Sequence, residues 1–168
     1  VSKYEWYKTE KYQNSEARMN MYIDYMTALG KDDDIAFEFR EGMIANTFHA
    51  HRILHHIQDH YSASAALAAL QSLYSQYFEQ GQHPSSASTL TKACLAAGLD
   101  EDDARNLVGD EEMQARETRE AIREQVGNAV DSVPSVVFEG RKRDFTMVEA
   151  KSTEEYEKVM RQVEKEAM

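Results

Sequence analysis

The stretch "SVPSVVFEGRKRDFTMV", Ser132 to Val148, constrains this chain most. Two runs rich in β-branched and aromatic residues flank "EGRK", the pattern of a β-hairpin. A hairpin standing alone is marginal in water. "SVVF" is almost wholly apolar, like a strand buried on both faces within a larger sheet. The remaining sequence offers few other strands. The hairpin therefore predicts a sheet that this chain does not complete, as if part of a fold lay elsewhere.

Upstream of Ser132 the pattern is helical. There are only two prolines, Pro84 and Pro134, and each marks a change of pattern. Ser15 to Leu29 reads as a helix, with Ser15 as N-cap and Gly30 in the place of a C-cap glycine. "KDDDIAFEF" alternates Ile35, Phe37 and Phe39, which predicts a short extended segment. Further helices are expected over about Asn46–Tyr61 and Ser64–Gln80, within "HPSSASTLTKACLAAGL" and "DEDDARNLVGD", and over Glu111–Asn128. "STEEYEKVMRQVEKEAM" closes the chain as a helix with a capping box, Ser152 to Glu155.

The formal charge of −11 argues against a nucleic-acid footprint, which needs a basic patch. No apolar run is long enough to span a bilayer. The single cysteine, Cys94, excludes an intrachain disulfide. Together these features lead us to expect a cytoplasmic protein. The chain opens with Val1 rather than methionine, so processing or a longer parent protein is expected.

Five of the six histidines fall in "NTFHAHRILHHIQDH", Asn46 to His60. At about 100° per residue, His51 and His55 lie near Ile44 and Phe48, whereas His49, His56 and His60 cluster roughly 120–160° away. Five imidazoles on two diverging faces cannot meet at one metal. Either pair supplies only two ligands where zinc takes three or four, and neither HExxH nor CxxC is present. No metal site is expected.

The same stretch carries a resemblance. "ANTFHAHRIL" resembles the NT-x-x-AHR segment of the DsbA-like thioredoxin-fold oxidoreductases, in the FrnE-type branch near the kappa-class glutathione transferases and hydroxychromene-carboxylate isomerases. "LYSQYFEQGQHPSSASTLTKACLAAGLD" resembles that family's aromatic helix and following unit. "AIREQVGNAVDSVPSVVFEGR" resembles its late helix and turn into the third thioredoxin strand. The resemblance runs from about Lys11 to Val163. It implies a mostly helical α+β fold, the helical insertion domain of a DsbA-like thioredoxin fold with its C-terminal β-hairpin and helix. Residues 1–12 would be an extended lead-in, 13–128 the insertion, and 129–168 the C-terminal part of the thioredoxin fold. The first β-α-β part, which carries the catalytic C-x-x-C or serine in the family, would be absent.

Carried over residue by residue, Pro134 matches the family's cis-proline, and the backbone at Val133 would pair with an extended thiol substrate. Asn46, Thr47, His51 and Arg52 match the NT-x-x-HR motif beside the cleft and are the other expected substrate-binding residues; Asn46 or Thr47 could equally N-cap the helix. The chain itself would hold no catalytic residue, and Cys94 reads as a buried structural thiol. "RDFTMVEAKS" lacks the glycine turn found in many relatives, which leaves glutathione-type contacts there in doubt. No cofactor is expected, with glutathione the possible exception. The expected function is the C-terminal portion of a thiol–disulfide oxidoreductase acting on protein or small-molecule thiols and disulfides. The alternatives are a non-catalytic binding or assembly module and a glutathione-dependent isomerase or transferase relative. Expected partners are a second copy or an N-terminal fragment covering the hairpin edge, with no nucleic acid and no membrane.

Overall fold

The computed structural model describes residues 1–167. The chain forms two compact units, Val1–Thr118 and a second from Arg119 onward. The first contains α1 (Lys3–Glu10), α2 (Glu16–Asp32), α3 (Phe48–His60), α4 (Ala63–Tyr74), α5 (Ala87–Ala96) and α6 (Glu101–Gly109). The boundary falls within α7 (Ala115–Gly127), ahead of the 128/129 boundary that the resemblance implies. The second unit holds β1 (Ser135–Phe138), β2 (Phe145–Val148) and α8 (Thr153–Ala167).

In the first unit, apolar residues at helical spacing set the packing. Ala50, Ile53 and Ile57 of α3 meet Ala66, Ala69 and Leu73 of α4, and Leu90, Ala93 and Cys94 of α5 with Leu107 of α6 complete this core. The alanines let the helix backbones approach closely. Five helix starts follow the N-cap rule: the side chains of Ser2, Ser15, Ser62, Ser86 and Asp100 each accept from a backbone N–H three residues on. After α4 the helix widens into a π turn, Ser75–Glu79.

Two expectations are corrected by the fold. The lead-in is helical, not extended: Ser2 caps α1, and Lys3 is buried, donating from Nζ to the carbonyls of Glu38 (2.9 Å) and Tyr77 (3.0 Å). The clustered side chains of α1 hid its helical period, because Tyr4, Trp6 and Tyr7 are all only partly buried in an aromatic group. Gly30 does not end its helix. It lies inside α2, buried, where the Phe37 ring crosses it. The short segment Ile35–Phe39 lies outside any helix or strand. It runs over α2, tied by the Glu38 N–H donating to the Phe78 carbonyl at 2.7 Å, and delivers Phe39 to Tyr22.

In the second unit β1 and β2 pair antiparallel, Ser135 opposite Val148 and Phe138 opposite Phe145. Val136, Phe138, Phe145 and Met147 share one sheet face, because strand side chains alternate. On that side the Phe138 ring lies 6.2 Å from the ring of Tyr156 in α8. The capping box is formed: Glu155 N–H donates to Ser152 Oγ, and Ser152 N–H donates to Glu155 Oε2. Among the described residues of this unit none is fully buried. No helix among the described residues is long and apolar enough to cross a membrane.

Candidate functional site

The open edge of the hairpin follows from its register. Glu149 N–H donates to the Pro134 carbonyl at 2.8 Å, which makes 134/149 a hydrogen-bonded pair. Antiparallel pairs alternate, so Val136 and Phe138 also turn their backbone groups toward β2. Ser135 and Val137 then turn theirs the other way, and among the described residues β1 has no second neighbour in this two-stranded sheet. The Val133–Pro134 peptide is cis, and Val133 is 81% exposed. The edge thus offers Val133, Ser135 and Val137 as a short row of unpaired backbone donors and acceptors. Sequence reasoning singled out Val133 and Pro134 but not Ser135 and Val137. The strand alternation counted from Pro134 could have found them.

The histidine helix belongs to the first unit and divides as its wheel predicts. Asn46 caps α3 in place of Thr47: its Oδ1 accepts from Phe48 N–H at 2.8 Å, and its carbonyl accepts from Ser85 Oγ. Thr47 makes no capping bond, and both Thr47 and His51 are exposed. His55 Nδ1 lies 3.1 Å from Thr118 Oγ1, whose proton goes to the Gln114 carbonyl, so the imidazole is the donor in that contact. Its Nε2 faces Asp59 at 3.3 Å. His56 and His60 stack with ring centroids 4.4 Å apart. Burial holds the His56 pKa below its ordinary value, with His60 and Arg52 adding to the effect. No group of three or more His, Cys, Asp or Glu among the described residues could hold a metal ion.

Arg52 departs from its expected place beside a cleft. It is fully buried, and its Nη1 donates to the carbonyls of Asp110 (3.0 Å) and Met113 (2.9 Å). It fastens the α6–α7 loop to α3, so contact with a substrate is closed to it. Burial lowers its pKa, opposed by Asp110 and Glu111, yet a guanidinium starts high enough to stay charged. Cys94 is buried in the core, and burial pushes its thiol up to about 11. At neutral pH it is a thiol, and the thiolate is the nucleophilic form. The chain's one cysteine therefore supplies no attacking sulfur.

A two-stranded hairpin backed by one helix, in a chain whose other unit is all helical, makes a mostly helical α+β protein. The model of the DSBA-like thioredoxin domain matches residues 6–161, and the chain belongs to that family. A probable DsbA oxidoreductase from Streptomyces coelicolor has a similar fold, with a TM-score of 0.77 at 21% identity over 96% of this chain and 67% of that one. No curated protein matches the chain.

Proposed function

We propose that this chain is the substrate-side portion of a FrnE-type thiol–disulfide oxidoreductase, with the attacking thiolate supplied from outside these 168 residues. The observation that carries this reading is the unpaired β1 edge beginning at the cis Val133–Pro134 bond. An extended segment of a protein substrate adds to that edge as a further strand, with main-chain hydrogen bonds giving affinity. This places the substrate sulfur near Pro134. A thiolate attacks it, the substrate S–S bond breaks, and the departing sulfur leaves as a thiolate; a second thiol then resolves the mixed disulfide. Asn46, Thr47 and His51 are polar candidates for substrate binding within the helical unit taken by itself, whereas Arg52 is architectural.

The test is peptide binding by the full chain, read by anisotropy of a labelled extended peptide containing one cysteine. Val137→Pro removes an N–H that faces away from β2, a position where an edge strand tolerates proline. The variant should keep the hairpin and bind at least about tenfold more weakly, a loss of roughly 1.4 kcal/mol. Unchanged affinity would place the peptide elsewhere.

A further inference from the structure

Helix α2 carries more apolar surface than its own unit covers. Viewed down the axis, Met19, Ile23, Met26 and Gly30 form the inward arc, with Met19 and Gly30 fully buried. A second arc, about 100° wide and adjacent to the first, holds Arg18, Met21, Tyr22, Tyr25, Leu29 and Asp32. Of these, Met21 is 71% exposed, Tyr25 64% and Leu29 46%. A shallow hollow of about 360 Å³ opens there between Arg18, Met21, Tyr22, Tyr25 and Tyr12. Tyr, Met and Arg are the side chains enriched in the cores of protein interfaces.

The order of charges along this seam selects the partner. Arg18 stands at one end and Asp32 at the other, about 21 Å apart along the axis, so they cannot meet within one helix. In an antiparallel pair with its twofold axis at Tyr25, each residue faces the one equally far beyond Tyr25 on the other copy. Met21 then meets Leu29, Tyr25 meets Tyr25, and Arg18 meets Asp32 twice over. A parallel pair would set Arg18 against Arg18 and Asp32 against Asp32. We infer that α2 is a self-complementary dimer seam, and that its occupant is α2 of a second copy of this chain. Such an isologous contact closes on itself and stays finite.

Sedimentation equilibrium on the full chain at low salt tests this. Twice the chain mass is expected at roughly 100 µM. Arg18→Asp and Asp32→Arg should each raise the dimer dissociation constant about tenfold or more, because each sets like charges face to face. The double variant Arg18→Asp/Asp32→Arg should restore it to within about threefold of the original, a rescue only contact between copies can give. Tyr25→Cys should give a covalent dimer on mild oxidation, which keeps the proposal decidable if a charge variant loses helical circular dichroism. A monomer at that concentration, or a dimer indifferent to both charge reversals and not cross-linked through Tyr25→Cys, would overturn the inference.

Discussion

The guanidinium of Arg52 donates to the main-chain carbonyl of Asp110 at 3.0 Å, across 58 residues of sequence. With the second bond to Met113 it holds the α6–α7 loop on the buried face of α3. Hydrogen bonds from a charged group are each worth about 1.5–3 kcal/mol, but enclosing the charge offsets part of that gain. Arg52→Ala should therefore lower stability by about 2–4 kcal/mol, with a cavity adding to the loss. Arg52→Met keeps the packed stem and sheds the buried charge, so about 1–2 kcal/mol is expected. Urea midpoints of the three proteins check the ordering, and a wild-type midpoint for Arg52→Ala would contradict this role.

Gly30→Ala sets two opposing effects against each other. Alanine is favoured over glycine in a helix by about 1 kcal/mol. At this position a Cβ would sit 2.6 Å from Phe37 Cδ2 and 2.7 Å from the Ile35 carbonyl oxygen, closer than carbon contacts allow. Overpacking of this kind costs about 1–3 kcal/mol, and the Ile35 oxygen is backbone that cannot swing away. The clash should win, and thermal unfolding should show a lower midpoint. A raised midpoint would mean that the Ile35–Phe39 segment yields readily.

Cys94 should be slow toward thiol reagents. Its thiol is buried and pushed up from about 9 to about 11, so at pH 8 almost none is ionised. Modification then waits for opening of the core and should run at least about a hundredfold slower than in denaturant. The same shift has a sign for stability. A raised folded pKa means that the unfolded chain ionises first, so the contribution of the neutral buried thiol is complete below about pH 9 and is lost as pH climbs toward 11. Cys94→Ala should remove that part of the alkaline decline, as pH-dependent urea titrations would show.

Much of this architecture was legible in the residues. The hairpin, the Ser152–Glu155 capping box and the cap at Ser15 all rest on local chemistry, which a sequence displays directly. The diverging histidine faces followed from helical geometry alone. What escaped depends on distant partners. Gly30 looked like a stop signal because the ring that crosses it comes from Phe37, beyond the helix. The N-terminal helix escaped because Lys3 finds its acceptors at Glu38 and Tyr77. Arg52 looked like a cleft residue because it matches the NT-x-x-HR motif, and only the folded α6–α7 loop provides the carbonyls that let it be buried.

The central claim is that substrate adds to the β1 edge through backbone groups that β2 leaves free. Amide exchange resolved by residue measures this directly, on the full chain with and without an extended cysteine-containing peptide. In the free chain Ser135 and Val137 should exchange quickly, whereas Val136, which faces β2, is slower. With saturating peptide, Ser135 and Val137 should slow by about tenfold or more, while Asp102 at the exposed start of α6 changes less. If both edge amides exchange at the same rate with peptide bound, the β1 edge does not receive the substrate and the account fails.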